Sequence, residues 1–326
     1  MPPEAPVRRD RCRLGASFLW WQGGERKIRP IRFAAGGAPE SADHDPEAIR
    51  ARRIHLLTRA AIYGLLAAFA AVYLFPGLIV LSNAFRSYPE VARHGFIALP
   101  RSLSLEAWQH AWTQMCVSGT CAGIAANFYN SVRITLPATL ISTAIGALNG
   151  YVLSKWRFRG ADLIFGAMLL GVFMPAQATL LPWAYLMGKL HLADSIYGLI
   201  LIHCVQGISF TTLFCRNFYA GIPDEIIRAA HIDGAGFWRI FARIVLPLSP
   251  PILIVTVIWQ FTSIWNEFLY GVVFTSGTEQ PVTAALQSAG SGSQSAAVMI
   301  AALPPLLLYL LGGRYFARGL TLGAIR

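Results

Sequence analysis

The chain has 326 residues, of which 55% are hydrophobic and only 13% charged, with a mean hydropathy of +0.50; an ordinary soluble domain is about one-quarter charged. The charges are segregated, leaving apolar runs of about twenty residues, the length that crosses a bilayer as a helix. Continuous apolar runs fit helices better than the short alternating strands of a barrel, so the expected fold is all-α, a polytopic membrane protein with six transmembrane helices.

Residues 1–51 are rich in Pro, Gly, Ala and Arg without sustained periodicity. They read as a disordered cytoplasmic tail or as an overlong translated start, and Phe18–Trp21 is too short for the apolar core of a signal peptide. Residues 52–326 form the transmembrane domain. Its first span, Ala60–Leu81, serves as an uncleaved targeting signal. The outer segment 83–128 follows, in which Leu103, Leu105, Trp108 and Trp112 predict a short amphipathic helix at the interface, where Trp is favoured. Cys116 and Cys121 either close a small disulfide loop in an oxidising compartment or remain free thiols; the five cysteines and seven histidines show no metal-site spacing.

Span two, Ser131–Leu153, carries Ser142, Gly146 and Gly150 at four-residue spacing, which lets helices approach closely. Span three, Leu163–Tyr185, contains Pro175 and Pro182, each of which removes a helical hydrogen bond. Gln177 lies between them at membrane depth, where a polar residue on a broken helix faces protein or a water-filled cavity. Span four is Ile196–Phe214. In span five, Leu248–Val273, Gln260 and Glu267 are seven residues apart and so share a face, with Asn266 adjacent. A carboxylate in a span is costly and points to function; near the outer surface it is simply solvated or packed. Gln177, Gln260, Asn266 and Glu267 are therefore the substrate-path candidates. Span six is Ala296–Leu311.

With alternating spans, 22 of the 27 Lys and Arg residues fall on one side, leaving Arg86, Arg93, Arg101, Arg133 and Lys189. Cytoplasmic loops carry the excess of basic residues, which puts both termini in the cytoplasm. Topology thus accounts for the net charge of +11 without a nucleic-acid partner.

The cytoplasmic loop 216–247, between spans four and five, has its own order. Pro223 suits the first turn of a helix, and Asp224 and Glu225 favour its positive end. Asp233-Gly234 predicts a turn. Phe237, Ile240, Phe241 and Ile244 then recur at helical spacing, and Leu246-Pro247 marks entry to the next span. The reading is two short helices joined at Gly234 on the cytoplasmic face.

This pattern resembles the cytoplasmic signature of ABC importer permeases, written E-A-A, three residues, G, nine residues, I-x-L-P. Ala229, Ala230, Gly234, Ile244, Leu246 and Pro247 stand at the matching positions. Ile232–Ala235, Leu246–Pro251, Asn130–Thr139, Trp265–Leu269 and the ending Arg314–Arg326 are similar to the carbohydrate branch, with its maltose- and glucose-type permeases. The resemblance covers about residues 52–326. It implies a membrane-spanning subunit of an ATP-driven importer in the bacterial inner membrane, translocating a sugar delivered by a periplasmic binding protein. It also implies two ATP-binding cassette ATPase chains, a second permease chain and a loop that docks on the ATPase. The signature's leading Glu is Arg228 here, reversing a charge, with Glu225 one turn earlier; Asp233 completes the loop candidates. The outer loop between spans five and six is shorter than the family pattern.

The sequence has no G-x-x-x-x-G-K-[ST] phosphate loop, and Gly188-Lys189-Leu190 is not one. The chain is therefore expected to be non-catalytic and to hold no cofactor, with ATP bound by a partner. Alternative readings are a permease-like subunit for another solute, a degenerate structural subunit, and a self-sufficient secondary transporter. The last would show related halves and several intramembrane charges.

Overall fold

The computed structural model describes residues 46–117, 119–156, 158–289 and 294–324; most of the predicted tail 1–51 lies outside them. The chain divides into two units, residues 1–66 and 67–326. In the first, the described residues belong to α1, Pro46–Ala84, which ends in the second unit. Its apolar side chains there, such as Ile54, Leu57, Ile62 and Leu65, are exposed around the helix, the pattern of a helix surrounded by lipid.

In the second unit α1 is followed by α2, Tyr88–His94, and α3, Glu106–Thr113. A two-residue antiparallel hairpin comes next, β1 (Cys116–Val117) with β2 (Thr120–Cys121), pairing Cys116 with Cys121. Then come α4 (Ala125–Lys155), α5 (Ala161–Phe173), α6 (Ala176–Leu190) and α7 (Ile196–Ala220). The loop region holds α8 (Asp224–Ile232), α9 (Phe237–Ile240), a π-turn at Phe241–Val245 and α10 (Leu246–Leu248). The chain continues as α11 (Pro250–Trp265), α12 (Leu269–Phe274), α13 (Val282–Ala285) and α14 (Gln294–Ala324).

Among the described residues, four stretches are unbroken and apolar enough to cross a membrane: Arg53–Ala84, Ala125–Lys155, Ile196–Ala220 and Gln294–Gly313. The other two expected spans are bent. α5 and α6 meet at 103°, and Phe237–Leu248 meets Pro250–Trp265 at 77°, so the total reaches six if each pair is one span. The first bend falls where Pro175 precedes α6 and forces Met174 to an extended ψ of 123°. Pro182, expected to disturb the helix as well, lies inside continuous α6. Span five also differs from its expected limits. It kinks at Ser249, ahead of Pro250-Pro251, and its helix stops at Trp265.

Three clusters of buried side chains hold the second unit together. At one end Ala84, Ala107, Ala111, Met115, Ile124, Trp265, Ala297 and Ile300 join α3, α11 and α14, and the Trp265 indole donates to the Ala301 carbonyl at 2.9 Å. Trp108 and Trp112 lie on α3, the short helix expected there, and pack against this cluster. A middle cluster contains Ile134, Met187, Leu199, Ile202, Tyr270 and Phe274. The third contains Ala147, Tyr151, Cys215, Tyr219, Ile227, Ala230, Ile240 and Val245, and fixes the loop helices to the ends of α4 and α7. The small residues of span two make the α4–α7 contact possible. A side chain at Gly146 would overlap Thr211, and one at Gly150 would reach Cys215 Cβ at 2.6 Å.

The polar end of α1 is tied by Arg86, whose side chain is fully buried. It pairs with Glu90 at 3.3 Å and donates to Asn83 Oδ1 at 2.8 Å and the Gly95 carbonyl at 2.9 Å. Glu90 accepts the backbone N–H of Arg101 at 2.9 Å and the Ser102 hydroxyl at 3.2 Å. The Arg101 amide, first, and Arg86 beside it hold the Glu90 carboxyl below its ordinary value, against a smaller upward push from burial. Cys116 and Cys121 are joined in a disulfide, resolving the two sequence readings.

Candidate coupling and path sites

The 216–247 loop is built as its residues dictate. Asp224 and Glu225 occupy the first turn of α8, while Pro223, expected within that turn, stands one residue earlier as its cap. α8 is amphipathic: Ile227 and Ala230 are buried, and Glu225, Arg228, Ala229 and Ile232 face outward. Asp233 caps its end, and Gly234 takes φ +78°, the left-handed conformation in which glycine carries no Cβ penalty. The backbone N–H of Ala235 returns to the Ala230 carbonyl at 2.9 Å, closing the turn. In the next helical stretch Ile240 and Val245 are buried, Ile244 is half-buried, and Leu246 and Pro247 are exposed. Pro247 has no N–H for the Arg243 carbonyl and would crowd it in a regular α-turn. The chain widens into the π-turn immediately before it.

Aromatic rings bind this element to α4. Tyr151 stacks on Phe241 with centroids 5.4 Å apart and lies 5.0 Å from Phe237. Trp156 meets Phe237 at 5.1 Å and His231 at 6.0 Å, both edge-on. Lys155 Nζ donates to the Ile222 carbonyl and to Asp224 Oδ1, the latter at 2.7 Å. The Ser249 hydroxyl donates to Tyr219 Oη at 3.0 Å. Arg228 pairs with Glu225 at 2.8 Å, but both side chains are well exposed, so the pair is worth about 0–1 kcal/mol. The outward face thus carries Glu225 and Arg228 beside Ile232, 87% exposed, and Trp238, 66% exposed.

The four path candidates do not converge on one face. Gln177 is exposed in the first turn of α6. Gln260 is buried on α11, its amide where a side chain on Gly207 would be. The helix ends at Trp265, so Gln260 and Glu267 do not share a helix face as expected. Asn266 is exposed at that end. Glu267 is half-buried and accepts the backbone N–H groups of Tyr270 and Gly271, the latter at 3.3 Å, capping α12. Sequence reasoning missed the hub beyond it. Tyr270 Oη contacts Gln206 Nε2 and lies 2.7 Å from Thr179 Oγ1, joining α12, α7 and α6. It also missed Lys155, Tyr151 and Trp156 as partners of the loop, because no spacing rule relates the end of α4 to residues so distant in sequence. The acidic start of α8 was the one available signal for a basic partner. Among the described residues no group of three or more His, Cys, Asp and Glu is placed to hold a metal.

The described residues thus form a bundle of long and bent membrane-length helices with a helical hairpin packed against α4 and α7. Its fold is like that of a chain in the crystal structure of a bacterial ABC transporter involved in import of the acidic polysaccharide alginate. The TM-score is 0.66 and the identity 21%, over 82% of this chain and 98% of that one. Residues 119–319 match the family described as the binding-protein-dependent transport system inner membrane component, and the chain belongs to that family. It is a membrane-spanning subunit of an importer that works with a binding protein. It is 41% identical over 185 residues to a probable ABC transporter permease protein of Pyrococcus horikoshii, covering 54% of this chain and 67% of the relative. It is 30% identical over 276 residues to the diacetylchitobiose uptake system permease protein of Streptomyces coelicolor, covering 82% of this chain and 89% of the relative.

Proposed function

We propose that this importer subunit translocates a sugar and that residues 216–247 form the docking element through which a separate ATPase drives it. The observation that carries the proposal is the α8–Gly234–α9 hairpin, seated on buried aromatic residues yet exposing Glu225, Arg228, Ile232 and Trp238. A loop that only linked two spans would need neither the platform nor the exposed apolar pair. The partners in this reading are two ATPase chains, a second permease chain and a periplasmic binding protein. The loop and both termini lie in the cytoplasm, with residues 1–51 as a tail. ATP is bound and hydrolysed by the ATPase chains; this chain is non-catalytic and holds no cofactor. Closure of the ATPases pushes the hairpin, and the bundle changes between two access states as a rigid-body transition. Gln177, Asn266, Gln260 and Glu267 are the proposed path residues; the exposed Gln177 and Asn266 are the two free to meet a solute directly.

Sugar as the substrate class rests on the Streptomyces relative, named for uptake of diacetylchitobiose, and on the carbohydrate-branch motifs. The test is ATP-dependent uptake by the reconstituted four-component transporter, using labelled mono- and oligosaccharides with amino acids as competitors. Gly234→Val places a β-branched residue at φ +78°, a conformation it resists. Uptake should be lost while membrane insertion persists. Undiminished uptake by this variant sinks the docking-element reading, and competition by amino acids but not sugars sinks the substrate class.

A further inference from the structure

We infer that Lys155 is a positioning residue that sets the angle at which α8 leaves the bundle and carries displacement of α8 into α4. The inference rests on the docking-element reading of residues 216–247. Lysine at the end of a helix ordinarily extends into water, and it is almost never buried unless paired. Here its side chain is 3% exposed. The ammonium grips both sides of one joint: the Ile222 carbonyl, before Pro223, and the Asp224 carboxylate at the first position of α8. Gly221, Ile222 and Pro223 are the whole connection between α7 and α8, and Pro223 is fixed in φ.

The next residue makes the second grip. Trp156 packs on Phe237 at the start of α9 and on His231 near the end of α8. The last turn of α4 and its cap therefore hold both helices of the hairpin, on either side of Gly234. A push on α8 from outside must break the Lys155 contacts or move α4. Breaking them leaves a buried ammonium unpaired, the costly alternative. Moving α4 keeps the Lys155 contacts and takes α7 with it through the close Gly146–Thr211 and Gly150–Cys215 packing.

The test measures ATP hydrolysed per solute molecule imported in the complete reconstituted transporter. Lys155→Met keeps the buried stem and removes the charge. It should raise the ratio about tenfold, within the usual range of coupling between sites. Lys155→Arg should stay near wild type, and Asp224→Asn, which leaves the Ile222 contact, should fall between. A Lys155→Met transporter with the wild-type ratio, even if less heat-stable, overturns the inference and makes the contact purely structural. If Lys155→Met does not assemble with the ATPase, Asp224→Asn decides by the same ratio, and a wild-type value there overturns it. Gly234→Val separates the two failures. Loss of uptake in that variant beside a wild-type ratio in Lys155→Met rejects Lys155 alone, whereas undiminished uptake rejects the docking element itself.

Discussion

Glu267 holds the backbone N–H of Tyr270 with both carboxylate oxygens, at 2.9 and 3.1 Å. The two residues form a chain of contacts, because the Tyr270 phenol then meets Thr179 on α6 and Gln206 on α7. A carboxylate placed by its sequence in a membrane span thus caps the start of α12, where orphan N–H groups need acceptors.

Glu267→Ala should lower stability by about 1 kcal/mol, the usual cost of a lost helix cap. Glu267→Gln, which keeps one acceptor oxygen, should lose less. Thermal unfolding in detergent measures both. If Glu267→Gln retains its melting temperature but abolishes uptake, the charge itself serves the path and capping is the lesser role.

Arg228 points outward on α8 and pairs there with Glu225 at 2.8 Å. Arg228→Glu should leave the melting temperature almost unchanged, since an exposed pair contributes about 0–1 kcal/mol. Uptake should be preserved or raised, because the variant restores the charge usual in the signature. Abolished uptake in the assembled transporter would mean that the ATPase presents an acidic group to the arginine.

Glu90 gives the segment 95–102 a pH dependence. Its carboxyl titrates below the ordinary 4.5 in the folded chain, first through the Arg101 amide. A depressed folded value means that the contribution is complete above pH 4.5 and is lost as pH falls through the lowered value. Hydrogen exchange at Arg101 should show protection at pH 6 that declines below about pH 4.5. Glu90→Gln should remove the decline. A wild-type decline that persists unchanged in Glu90→Gln rejects the mechanism.

The sequence made the loop helices and the Gly234 turn legible because they follow local rules: an acidic first turn, an apolar stripe and a glycine at positive φ. That α4 approaches a neighbour closely was legible for the same reason, in the spacing of Ser142, Gly146 and Gly150; that the neighbour is α7 was not. What stayed hidden is set by distant partners. Span five read as one apolar run through Val273, yet its helix stops at Trp265, whose indole is held by the Ala301 carbonyl of α14. The short helix carrying Trp108 and Trp112 was legible, but their packing partners Phe85 and Phe128 were not. Lys155 carried only a topological signal, one basic residue among many, until the fold set it beside Asp224.

The π-turn at Phe241–Val245 works as a phase setter between the hairpin and the membrane. It holds one residue more than an α-turn would in the same length, and each residue turns a helix by about 100°. Winding the same residues as regular α-helix, with none removed, would swing everything before them by about that angle. Ile240 would leave the cluster it shares with Tyr151 and Tyr219, and Trp238 would turn from its outward position. The length of this segment, as much as the composition of the signature before it, determines which face of the hairpin is offered to a partner.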